Sequence, residues 1–237
     1  MEERVIRGAK RQTIGRVMCT ALLALGMSGP LAAQTNAKQP GTAKSAVAKT
    51  AAPRATVAPV DITALKALGS KSAPITMQVF SDFQCPACRD LYFTVLRNVI
   101  DNYVSAGKVY LIHRDMPLTM HQHSRIAARY ANAAAVARRM EKVTAALFEK
   151  QAAWTADGNV DGTVAAVLTP GEMNRVRKLV NSGTLEAGID KDLALGMEFR
   201  VTQTPTTIIT YKGTNYPVVG VVSYNMMKTF LEQLLRQ

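Results

Sequence analysis

The chain has 237 residues, 48% of them apolar and 19% charged, an ordinary globular composition with room for one sizeable domain and short extras. No run of 18 or more apolar residues interrupts its body, which excludes a multi-span membrane protein. The formal net charge of +12 is spread unevenly, and residues 61–237 carry 20 basic against 15 acidic side chains, too slight a bias for a nucleic-acid binder.

At the N-terminus, MEERVIRGAKRQTIGRVMCTALLALGMSGPLAAQ places Arg4, Arg7, Lys10, Arg11 and Arg16 ahead of an apolar run from Val17 and a small-residue exit at Leu31-Ala32-Ala33. That order is the order of a secretory signal. Residues 1–33 are therefore expected to be a cleaved signal peptide and the mature protein to be exported, as to a periplasm. Residues 34–60, QTNAKQPGTAKSAVAKTAAPRATVAPV, have no aromatic and no periodic apolar face, so they read as a disordered linker. Cys19 leaves with the signal, and only Cys85 and Cys88 remain. Two cysteines make no disulfide framework, and a bridge across a three-residue offset closes too short a loop to stabilise much by chain entropy.

Ile75–Ser81 (ITMQVFS) is a short apolar run rich in β-formers, preceded by Pro74 and broken by Asp82, and it predicts a buried strand. Tyr92, Val95, Leu96, Val99, Ile100 and Tyr103 fall at helical spacing before Gly107, and Val109–His113 predicts a second strand. From Ser124 the pattern is helical for some 75 residues. Ser124 is a candidate cap for a helix with Ile126, Tyr130, Ala133, Ala137 and Met140 inside, and Thr169-Pro170-Gly171-Glu172 is a capping box. Strands at Thr206–Tyr211 and Tyr216–Val219 flank a turn at Lys212-Gly213. A last helix carries Met226, Phe230, Leu231 and Leu234. The order is β-α-β, helices, β-β-α, an α/β fold over 61–237 with a helical insertion at about 120–200.

The C-x-x-C of FQCPACRD stands at the junction of the first strand and helix. Zinc wants four ligands, and the only candidates for a second pair, His121 and His123, are closer together than finger spacing. Thiol–disulfide exchange wants one thiolate open to attack and a second thiol behind it. Cys85 at the helix N-cap, with Pro86 at the first helical position and Ala87 next, can accept from the free N–H groups of Ala87 and Cys88 at the positive end of the helix dipole. Both effects lower its pKa, so Cys85 is expected to attack and Cys88 to resolve, with no cofactor and no metal. Met116, Met120, His121 and His123 form a soft-ligand set that suits Cu(I), which leaves a non-catalytic copper protein as an alternative.

The words FSDFQCPAC, RDMPLTMHQHS, ALFEKQAAW and VTQTPTTIITYKG, in that order, resemble the DsbA-like thiol:disulfide oxidoreductases, a thioredoxin fold with a helical insertion. The resemblance implies that Pro205 is a cis-proline facing the cysteines and that Thr204 contacts substrate or the Cys85 sulfur. It implies reduced or unfolded exported client proteins and a membrane redox partner, and it leaves the oligomeric state open. An oxidase is the first expectation. Thr before the proline resembles the isomerase branch and keeps isomerase or reductase as the alternative. Two positions depart from the pattern. Val79 replaces the acid often found six residues before the first cysteine, leaving proton transfer to water, and Pro86-Ala87 lacks the histidine of the strongest oxidants. Asp82 is expected in the loop and Gln78 on the opposite face.

Overall fold

The computed structural model describes residues 61–237; the expected signal peptide and linker lie outside the described residues. A five-stranded mixed sheet has the order β1-β3-β2-β4-β5, formed by β1 (Ala67–Leu68), β2 (Ile75–Ser81), β3 (Val109–Asp115), β4 (Thr206–Tyr211) and β5 (Thr214–Val219). Central β2 runs parallel to β3, with Val79 beside His113 and Ser81 beside Asp115, and antiparallel to β4. The outermost strands differ in kind: β1 has two residues, and β5 carries Pro217.

After β2 the chain enters one helical run. Regular turns at α1 (Pro86–Leu91) and α2 (Arg97–Val99) alternate with wider π-turns at Tyr92–Leu96 and Ile100–Val104, and Gly107, at φ 69°, turns the chain into β3. The insertion is α3 (Ser124–Val136), α4 (Met140–Glu149), α5 (Gln151–Asp157), α6 (Val160–Ala165), α7 (Pro170–Ser182) and α8 (Glu186–Glu198). After β5 the chain ends in α9 (Tyr224–Leu235). Thr169 and Glu172 make the reciprocal capping box expected of α7.

Four local expectations change. Ser124 is the first helical residue and not the cap, because its hydroxyl is committed to Asp82. α3 stops at Val136, and a left-handed Arg138 (φ 60°) separates it from Met140, which opens α4. β3 continues beyond His113 through Arg114 and Asp115, charged residues that find buried partners. On α9 the buried stripe is Met227, Leu231 and Leu234, while Met226 is exposed.

One core runs from Val79, Leu91, Val95 and Leu111 on the sheet and α1 side to Ala127, Leu147, Trp154, Val176 and Ile189 in the insertion. A buried ionic group joins the same halves. Lys66 Nζ bridges Asp115, at 2.7 Å, and Asp192 of α8. Arg114 donates to the other Asp192 oxygen at 2.8 Å and also to Gln78 Oε1. Asn132 of α3 donates to Asp115 at 2.7 Å.

Candidate active site

Cys85 is the N-cap of α1, in extended conformation (φ −74°, ψ 120°), with Pro86 at the first helical position and half-buried Ala87 packed on the core. Both thiols are free and buried, Cys88 almost completely (1% exposed). The Cys85 thiol faces the Thr204 carbonyl at 3.5 Å, and the Thr204–Pro205 bond is cis. The segment before β4 is thus brought onto the dithiol, although about 120 residues separate them in sequence.

The two sulfurs sit in opposed environments. Cys85 is lowered to about 5 from the ordinary 9.0. The first cause is the Cys88 thiol donating to its sulfur. Burial opposes this, and the Thr204 side chain and the backbone N–H groups of Cys88 and Ala87 add to it. The helix-end amides therefore contribute as expected but do not lead, and in the dithiol the sulfur makes no capping hydrogen bond. Cys88 is raised far above the ordinary value, by burial first and by its bond to Cys85 second. Its partners in the other direction are the Asp82 N–H, at 3.4 Å, and the Ser81 hydroxyl.

Asp82 does lie in the loop, but as a buried hub (1% exposed). Its carboxylate accepts from Gln84 N at 2.7 Å, Ser124 Oγ at 2.6 Å, Leu118 N at 2.7 Å and His121 Nδ1 at 2.8 Å. Its carbonyl accepts from Cys85 N at 3.1 Å. Gln151, the first residue of α5, donates to the carbonyls of Phe83 (2.7 Å) and Cys85 (3.0 Å), and Gln84 Oε1 accepts from His123 N. Gln151, which the sequence motifs do not single out, is thus a positioning residue for the cysteine loop. The available signal was an amide set between two aromatic residues, Phe148 and Trp154. Val79 is buried beneath α1, and Gln78 is on the other face with Arg114, as alternation requires.

The soft-ligand residues have separate surroundings. Met116 Sδ packs 3.1 Å from where a side chain on Gly196 would begin, and His123 packs on Gly158. His121 is held by Asp82, and Met120 is 81% exposed. Among the described residues no group of three or more His, Cys, Asp or Glu side chains could hold a metal ion.

A family model described as thioredoxin matches residues 63–232. The chain belongs to the thioredoxin family. Within it, the helical insertion gives the chain the fold of the DsbA-like proteins. The structure is similar to oxidised BdbD from Bacillus subtilis (TM-score 0.61, 21% identity, 73% of this chain and 93% of that one). It is also similar to alpha-DsbA1 from Wolbachia pipientis (TM-score 0.61, 21% identity, 71% and 89%). The probable disulfide bond formation protein D of Bacillus cereus is 40% identical over 52 residues, 22% of this chain and 24% of that protein. That match spans about a quarter of the curated relative's length.

Proposed function

We propose that this thioredoxin-family chain is an exported thiol:disulfide oxidoreductase that passes a Cys85–Cys88 disulfide to reduced client proteins, chiefly as an oxidase. The observation that carries the reading is the opposition of the two thiols: a thiolate favoured at Cys85, lowered to about 5, and a thiol favoured at the buried Cys88. A client thiolate attacks Cys85 and forms a mixed disulfide; a second client thiol then expels Cys85, a good leaving group because its thiolate is stable. Thr204 and Pro205 border the attacked sulfur as the substrate-contacting pair. The Thr204 hydroxyl is buried beside the Cys85 sulfur and is placed to bond the mixed disulfide. The name of the Bacillus cereus relative, probable disulfide bond formation protein D, supports the same direction. The basic-then-apolar segment at residues 1–33 supports export, and a membrane-bound partner is proposed to reoxidise the dithiol. No helix among the described residues is long and apolar enough to cross a membrane.

Equilibration with glutathione tests the direction. A thiolate pKa near 5 lies between those of thioredoxin (about 7) and a strong oxidant (about 3.5). The potential is therefore expected at roughly −150 to −220 mV. A value at or below about −270 mV makes the chain a reductase. Cys88→Ser is expected to trap mixed disulfides with clients in cells, and Cys85→Ser to trap none. The isomerase reading keeps one observation, Thr204 in front of Pro205, and a mostly dithiol protein in its own compartment favours it.

A further inference from the structure

Resting on that reading, a difficulty arises at the other cysteine. When a client thiolate attacks Cys85 Sγ, a new S–S bond forms there and the Cys85–Cys88 bond breaks. The electron pair leaves on Cys88 Sγ, a sulfur only 1% exposed, where water cannot solvate the charge. A buried anion needs hydrogen-bond donors, and β2 presents Val79, which has no proton to give, on the side of Cys88. The Asp82 carboxylate is already engaged by four neighbours and is turned toward them.

What faces the sulfur is the last turn of chain out of β2. The Asp82 N–H donates to Cys88 Sγ at 3.4 Å. Strand alternation puts Ser81 on the same side as Val79, the side covered by α1 and Cys88. Ser81 is fixed there by the Met116 N–H, which donates to the Ser81 carbonyl at 2.9 Å, and by its pairing with Asp115. Ser81 immediately precedes Asp82, whose N–H touches the Cys88 sulfur, so its hydroxyl stands on the sulfur's side of β2, and a hydroxyl proton can rotate toward charge as charge develops.

We propose that Ser81 is a catalytic residue: its hydroxyl, with the Asp82 N–H, forms a two-donor cradle that receives the Cys88 thiolate expelled when a client attacks Cys85. The thiolate then takes a proton from solvent, and the cradle returns to the arrangement of the dithiol. The same two donors act in reverse, when Cys88 must ionise to attack a mixed disulfide. Charge-assisted hydrogen bonds are the strong ones, and donors aimed at the atom where charge appears act on the barrier directly.

The test uses the full-length oxidised protein and reduced glutathione as the attacking thiol, with stopped-flow measurement of Cys85–Cys88 cleavage. Ser81→Ala is expected to slow this step roughly ten-fold or more, and Ser81→Thr, which restores a hydroxyl, to recover most of the rate. A second measurement separates chemistry from structure. In the Cys88→Ser background, a glutathione mixed disulfide at Cys85 is broken by a second glutathione that expels Cys85 and involves no sulfur at position 88. Adding Ser81→Ala there is expected to leave the rate unchanged. Cleavage of the Cys85–Cys88 bond at the wild-type rate in Ser81→Ala overturns the proposal, and so does equal slowing of both steps, which marks a structural role. A wild-type disulfide that does not exchange with glutathione overturns the parent reading and this one together.

Discussion

The sheet with its flanking helices α1 and α9 carries both cysteines, and the insertion from α3 to α8 carries neither. The insertion nonetheless reaches the site three times. Ser124 bonds the Asp82 carboxylate, Gln151 holds the carbonyls of Phe83 and Cys85, and Phe148 stacks against Phe83, with ring centroids 5.1 Å apart. Sulfur chemistry and the stiffness that aims it therefore sit in different parts of one chain. A frame shared with a broad family can keep its reaction while the added helices decide how rigidly the cysteine loop is presented.

Cutting the strongest tie between the two parts should give the largest effect. Burial works against the Lys66 ammonium, but Asp115 and Asp192 outweigh it and raise its pKa. Lys66→Ala leaves two buried carboxylates facing one another and is expected to cost about 3–5 kcal/mol, read by urea unfolding. The Cys85 titration midpoint should stay near 5 in that variant. If the midpoint moves with stability, the division between chemistry and support is wrong.

A smaller effect is expected from Gln151→Leu, which leaves the Phe83 carbonyl buried and unpaired. The cost is about 1–3 kcal/mol, and Cys85 alkylation should become less sharply dependent on pH near 5 as the loop loosens. Unaltered alkylation in a destabilised protein would make Gln151 a packing residue only.

Another expected effect lies within the frame and concerns pH. Cys85 has a folded pKa of about 5 against an ordinary value of 9.0. Its thiolate therefore stabilises the folded dithiol fully above about pH 9, and the contribution fades as pH falls and is gone below about 5. Cys88, raised in the fold, works the other way only at alkaline pH. The melting temperature of the reduced protein relative to the oxidised one should thus rise between pH 5 and 8. A flat difference over that window would mean that Cys85 is not ionised in the fold.

Much of this was legible from local signals. Pro86 after Cys85, the alternation of Ile75–Ser81 and the capping box at Thr169 each act through near neighbours in sequence, and each lies where the pattern put it. Three things were not legible, all for one reason. The burial of Asp82, the continuation of β3 through Arg114-Asp115, and the role of Gln151 depend on partners 36 to 78 residues away. A charged or amide side chain read alone looks like the end of an element. The family resemblance supplied Thr204 and Pro205, since an isolated X-Pro sequence favours trans.

The two rims of the sheet have a consequence for a protein proposed to work among unfolded chains. An exposed edge strand offers free backbone groups on which another chain can add, the usual start of aggregation. Here one rim offers two residues, and the other is interrupted by Pro217, which has no N–H to give. A client's own sticky strands therefore find little to extend on this molecule. Encounters with misfolding-prone substrates can stay brief, with the covalent bond at Cys85 as their main attachment and its exchange as their release.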